Sequence, residues 1–294
     1  MERAKGILYA ALSSSTFGLA PLFTLLLLGL GYSSFEVLSY RWGVASLFLG
    51  ALALLAGRSF RLSWPELRTV FFLSLFRAAT SLSLVIAYQH IASGVASTIH
   101  FMYPLAVALA MMCFFREKGS VWVFAAIGMS IVGAVLLSLG NVDFTRGNTT
   151  LGMVSAAVSV VSFGGYLVGV RKSRAVGIDS TVLTCYVMGL GALYFIAGGL
   201  VTGGIRIETD GTAWLCILGV ALPATAVSNM TLVQAIKRIG PTLTSVFGAL
   251  EPLTAVVIGV AVFGEPFTVQ GAAGILLIVA AVTIVILHSG RRKA

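Results

Sequence analysis

Charge is what this sequence has least of. Of its 294 residues 10% are Asp, Glu, Lys or Arg, 58% are hydrophobic, and mean hydropathy is +1.01. A soluble domain of this size carries about a quarter charged residues, because it needs a wettable surface. This chain cannot cover such a surface, so its main solvent is lipid. The three cysteines, Cys113, Cys185 and Cys216, lie singly inside apolar runs. That excludes a disulfide framework or cysteine-ligated metal and reads as small buried hydrophobes. The chain also lacks a Gly-x-x-x-x-Gly-Lys-Ser/Thr phosphate loop, which excludes an ATP-driven pump on this polypeptide. Asp143, Asp179 and Asp210 stand alone in separate loops, and no nucleophile lies beside a base. An intramembrane enzyme acting on metal-bound phosphate needs clustered carboxylates. The expectation is a protein that is not an enzyme and uses no cofactor and no metal.

What is present is a series of apolar runs. A spanning helix needs about 20 mostly apolar residues. The runs predict an all-α, polytopic membrane protein of ten helices, near 6–29, 36–56, 69–89, 96–115, 121–139, 150–170, 180–202, 213–234, 242–262 and 269–288. The basic start, Met1 to Lys5, precedes an apolar stretch too long for a cleavable signal core, so it reads as a retained first helix. The net charge of +9 is not a nucleic-acid patch, because the cations fall in short clusters between the runs. Sorted by loop, 15 Lys and Arg fall on one side, only Arg146 and Arg206 on the other, and Arg41 and Arg77 within helices. Positive loops stay cytoplasmic and face anionic lipid, which puts both termini inside.

A repeat underlies the ten runs. At an offset of 148, Ala87–Glu117 aligns without gaps on Ala235–Glu265, with Ile91/Ile239, Ser97/Ser245, Pro104/Pro252 and Glu117/Glu265 among the identities. At an offset of 146, Gly6, Ala10, Phe17 and Gly18 match Gly152, Ala156, Phe163 and Gly164. The halves, 1–143 and 144–294, hold five predicted helices each. An odd number inverts the second half, and inverted repeats allow a midplane site to open to either side in turn. That favours a carrier. A channel or a scramblase-like protein is the alternative; the missing ring of like charges weighs against a charge-selected pore.

On these residues the chain resembles the EamA-type transporters of the drug/metabolite transporter superfamily. The likeness rests on Gly6 with Phe17-Gly18, on Arg41, and on Ala-x-x-x-Ile-x-x-x-x-Ala-Ser leading through Pro104 to Glu117, repeated as Ile239 through Pro252 to Gly264-Glu265. The resemblance implies export of amino acids or related metabolites across the bacterial inner membrane; drugs or other metabolites are the second cargo class. It also implies a cavity lined by helices 1, 3, 4, 6, 8 and 9, with Phe17 where many members carry Trp.

The candidate site residues follow from depth. Arg77 and Glu251 lie about 12 and about 13 Å from the inner ends of helices 3 and 9, so opposite charges share a level. Charges at that depth face a cavity or each other. They are read as ligands for a zwitterion or as a gate, with a permanent salt bridge as the alternative. Glu251 is also the candidate for coupling to protons. Pro104 and Pro252 free the carbonyls of His100 and Gly248 and are candidate hinges. His100, Tyr103, Tyr88, Asn229, Gln234, Phe17, Phe163 and Tyr166 complete the candidate substrate-binding set. Arg41, near a helix end, is expected to snorkel outward. Gly165-x-x-x-Gly169 is a candidate dimer face, though packing within the bundle is its expected use. Apart from a homo-oligomer, the expected partners are a small-molecule substrate and lipid.

Overall fold

A computed structural model describes residues 2–91, 93–138, 147–254, 257 and 268–288. The described residues form helices and short connections: α1 (Glu2–Gly29), α2 (Ser34–Leu55), α3 (Trp64–His90), α4 (Val95–Phe115), α5 (Val121–Ser138), α6 (Thr149–Lys172), α7 (Ser180–Thr202), α8 (Gly211–Ile239), α9 from Pro241 and α10 (Val269–His288). Among these residues seven helices are long and apolar enough to cross a membrane, and α5 and α10 are apolar over shorter stretches. The predicted outer-loop residue Arg146, the half boundary at 143 and the Gly264-Glu265 motif lie outside the described residues.

Short polar residues start the helices, since the first backbone N–H groups need acceptors. Ser33 opens α2 in a reciprocal pair with Glu36, donating its N–H to Glu36 Oε2 at 2.8 Å and accepting from the Glu36 N–H at 3.2 Å. Asn148, Asp179 and Asp210 accept backbone N–H bonds at the starts of α6, α7 and α8.

Four of the spans are interrupted. α1 breaks between Phe17 and Ala20 and resumes with Pro21 in its first turn; α4 breaks at Phe101–Met102 and resumes at Tyr103-Pro104. In a first turn proline's missing N–H costs nothing. α9 narrows to a 3₁₀ turn at Phe247–Ala249, and α8 widens to a π turn at Leu222–Val227, which carries Pro223 in its first residues. In lipid such breaks need internal partners. At the π turn they are side chains: Thr225 Oγ1 donates to the Val220 carbonyl at 2.7 Å, and Asn229 Nδ2 to the Thr225 carbonyl at 2.8 Å.

The helices pack in pairs. α2 lies along α7, α5 along α10, α1 along α8 and α6 along α3. Glycines allow the closest approaches. A Cβ on Gly191 would stand 2.1 Å from the Trp42 ring, and one on Gly6 would stand 2.5 Å from Ile239 Cγ2. The same contact recurs on the other pair, where a Cβ on Gly152 would lie 2.7 Å from Ile91 Cγ2. Gly165 and Gly169 pack on Phe76 and Leu73 of α3, within the bundle.

Charged ties close both ends. At one, Arg206 pairs with Glu36 at 3.1 Å, donates to the Gly31 carbonyl and lies 4.0 Å from the Tyr32 ring centre. At the other, Arg238 pairs with Glu2 at 3.2 Å and Arg171 donates to the Lys237 carbonyl at 2.6 Å.

Candidate functional site

Polar side chains are costly at bilayer depth, so those buried there mark a site or a structural bond. Arg77 is 1% exposed. Its Nε donates to Asn229 Oδ1 at 2.8 Å and its Nη1 lies 3.4 Å from Ser81 Oγ. Its guanidinium carbon sits 5.1 Å from the Phe163 ring centre, 5.3 Å from Phe17, 5.9 Å from Trp42 and 6.0 Å from Tyr166. A cation stripped of water and surrounded by ring faces is favourably placed.

Glu251 does not pair with it. Among the described residues no ion pair joins the two, and the carboxylate accepts from Tyr103 Oη at 3.4 Å. A permanent Arg77–Glu251 salt bridge is therefore absent from this arrangement. Tyr103 and Glu251 are 148 residues apart, the offset of the sequence repeat. The coincidence is not isolated. Ser81 and Asn229, both bonded to Arg77, are also 148 apart, and Phe17 and Phe163, 146 apart, stack at 6.5 Å with rings within 10° of parallel. Residues at equal positions in the two halves thus meet at the centre of the bundle. Charge breaks the symmetry: Glu251 is the counterpart of Tyr103, and at the same offset of 148 Thr225 answers to Arg77.

Close helix approach builds the centre. A Cβ on Gly18 would fall 2.7 Å from the Glu251 carbonyl oxygen, and one on Gly248 would fall 1.6 Å from Tyr103 Oη. Two small cavities result, both bordered by Phe17, Leu84 and Tyr88. One, of about 40 Å³, is lined also by Ser97, His100, Glu251 and Pro252. The other, of about 10 Å³, is lined by Thr24, Arg41, Arg77, Thr80 and Ser81. The acid and the arginines thus lie in separate chambers, with Phe17, Leu84 and Tyr88 between them. A larger hollow of about 680 Å³ lies between α3 and α6, but exposed Phe72, Phe76, Val154 and Val161 line it, on the apolar outer surface of the bundle.

Most of the sequence candidates gather here. His100 is buried; its Nδ1 lies 2.8 Å from Ser159 Oγ, and its ring centre is 5.3 Å from Tyr103 and 5.4 Å from Phe163. Tyr88 bonds Ser97 at 3.3 Å, and Tyr166 stacks on Phe163. Pro104 lies at the break in α4, and Pro252 follows the 3₁₀ turn of α9. Gln234 is not with them: it accepts from Arg238 near the end of α8.

Arg41 corrects an expectation. It is 4% exposed rather than snorkelled, its Nε donates to Thr225 Oγ1 at 2.6 Å, and it lies 5.7 Å from the Phe17 ring centre. Distance from a helix end gives depth but not rotation, and the face of α2 that carries Arg41 points inward. Thr24, Ser81, Ser97, Ser159 and Thr225 were also missed; small hydroxyls in apolar helices give no sequence signal of which ones face a cavity.

Apolar spans packed around a buried, charged, aromatic-lined centre define a multi-spanning helical membrane protein with an internal polar site. The EamA-like transporter family model matches the chain twice, over residues 4–139 and 150–287, and the chain belongs to that family. It is 26% identical over 283 residues to an uncharacterized transporter, YojE, of Bacillus subtilis (strain 168), covering 91% of this chain and 88% of that protein. An uncharacterized transporter of Archaeoglobus fulgidus is 25% identical over 238 residues, 81% of this chain and 83% of its own. A protein of known crystal structure superposes with a TM-score of 0.79 at 19% identity, over 100% of this chain and 99% of that one, a likeness of fold alone.

Proposed function

We propose that this transporter is a secondary exporter of small metabolites, amino acids or related compounds, working by alternating access between two inverted five-helix halves, 1–143 and 144–294. The observation that carries the reading is the meeting of repeat counterparts at the buried centre: Tyr103 with Glu251, Phe17 on Phe163, Ser81 and Asn229 on one arginine. Two halves with exchangeable packing around such a centre can swap conformations and open it to either side. The two family matches, one in each half, support the same division.

The centre as it stands has room for a few water molecules: its chambers offer water centres about 40 and about 10 Å³, and one water needs about 10–15 Å³ of such space. Cargo enters only when helices part, and the break before Pro104 in α4 and the 3₁₀ turn before Pro252 in α9 are the points at which they would hinge. Arg77 and Arg41 hold the carboxylate side of the cargo, and Glu251 with Tyr103 and His100 holds its amine side. Glu251 also carries the coupling proton. Both termini face the cytoplasm of a bacterial inner membrane, on the division of 15 basic residues against two.

Counterflow in proteoliposomes tests the reading. Vesicles loaded with unlabelled amino acid should accumulate external labelled amino acid transiently, with a saturable rate. Flux that rises linearly with concentration and shows no accumulation would support the channel reading instead.

A further inference from the structure

We infer that the cargo is an organic anion, with an anionic oxygen group held between Arg41 and Arg77; the inference rests on the carrier reading above. The two arginines line one chamber and flank one ring, Arg41 at 5.7 Å and Arg77 at 5.3 Å from the centre of Phe17. Both are nearly wholly buried, at 4% and 1% exposure, and among the described residues neither belongs to an ion pair. Their hydrogen-bond partners, Thr225, Asn229 and Ser81, are neutral. Glu251, in the neighbouring chamber, is the carboxylate of this centre, so the centre carries two positive charges against at most one negative.

Two buried like charges repel, and low dielectric strengthens the repulsion. A structural arginine pair would have acquired a carboxylate or a full set of acceptors. Here polar atoms are left over: Arg41 Nη2 and Thr24 Oγ1, lining the same chamber, have no hydrogen-bond partner. A planar guanidinium with free donors suits a carboxylate or a phosphate, which accepts from two arginines at once. A zwitterion of zero net charge leaves the excess positive charge in place; a cargo of net charge −1 cancels it. Arg41 thereby becomes a cargo-binding residue in its own right. An ammonium, if the cargo has one, faces Glu251 across Phe17 and Tyr88.

The test uses wild type, Arg41→Gln and Arg41→Lys in proteoliposomes, with counterflow measured separately for L-aspartate, O-phospho-L-serine, L-asparagine and L-lysine. Thermal unfolding in nanodiscs is followed with the same solutes. Wild type should exchange aspartate or phosphoserine at least about tenfold better than asparagine, the scale of one charge-assisted contact. Preference for aspartate identifies a carboxylate and preference for phosphoserine a phosphate; either supports the anion. Arg41→Gln should erase most of that preference while its ligand-free unfolding temperature stays level or rises, because a buried cation has gone. Arg41→Lys should keep the sign of the preference and weaken it, a readout that stands even if the glutamine variant fails to fold. Exchange of asparagine or lysine as fast as the anions, or an undiminished anion preference in Arg41→Gln, overturns the anion assignment and leaves the carrier standing. Exchange and stabilisation by none of the four would overturn the assignment and the carrier reading together.

Discussion

Arg77 separates a binding centre from a structural bolt, and the geometry assigns a magnitude to each outcome. Had Arg77 and Glu251 been locked together, removing either would strand a buried charge at a cost of about 3–5 kcal/mol, and the two losses would be strongly coupled. Instead Arg77 donates to Asn229 at 2.8 Å while Glu251 accepts from Tyr103 at 3.4 Å. With no direct bond between them, only the residual attraction of charges across the centre couples the two, and it is small beside the loss of a buried pair. The account therefore predicts a stability coupling below about 1 kcal/mol between Arg77→Lys and Glu251→Gln. Arg77→Asn229, by contrast, is a charge-assisted bond worth about 1.5–3 kcal/mol, so Asn229→Ala should destabilise by that amount. Arg77→Lys keeps the charge and loses the planar fork, and transport should fall about a hundredfold. The assay is a double-mutant cycle of unfolding in mixed micelles, run beside counterflow. A coupling of 3 kcal/mol or more between Arg77 and Glu251, rescued by an apolar double replacement, would refute the reasoning.

Two further outcomes are expected. Glu251→Gln should abolish transport driven by an imposed pH gradient and retain exchange; wild-type transport that ignores such a gradient would remove the proton from the mechanism. A single cysteine at position 206, in a protein stripped of its native cysteines, should react with an impermeant reagent in intact cells. Reaction only after lysis would invert the topology.

Seven of the ten expected spans stand out among the described residues, because lipid imposes one demand, about 20 apolar residues with satisfied backbones. The offset that relates Pro104 to Pro252 is a feature of the sequence; the α4 break falls just before Pro104 and the α9 turn, Phe247–Ala249, just before Pro252. The burial of Arg77 was legible too, since a charge inside an apolar span turns toward the bundle interior. Rotation elsewhere was not. Arg41 and Gln234 were assigned by depth and residue type, yet α2 turns Arg41 into the centre while Gln234 meets Arg238 at the end of α8. The π turn at Leu222–Val227 also escaped, although Pro223 marks it; it sets the Thr225 hydroxyl where Arg41 meets it.

Alternation between two inverted halves is the central claim, and one pair of glycines tests it most directly. Gly6 seats the start of α1 on Ile239 at the end of α8, and Gly152 seats the start of α6 on Ile91 at the end of α3. In the proposed topology the first seam closes the cytoplasmic side and the second the outer side. A methyl group at 2.5 or 2.7 Å from its neighbour overpacks the seam by about 1–3 kcal/mol, enough to move a two-state balance about five- to hundredfold. The measurement is the labelling rate of a cysteine at Leu84, which borders both chambers, from each side of the membrane in a background lacking the native cysteines. The account predicts that Gly6→Ala speeds labelling from the cytoplasmic side alone and Gly152→Ala from the outer side alone. If both substitutions shift accessibility toward the same side, the two halves do not alternate and the central claim is contradicted.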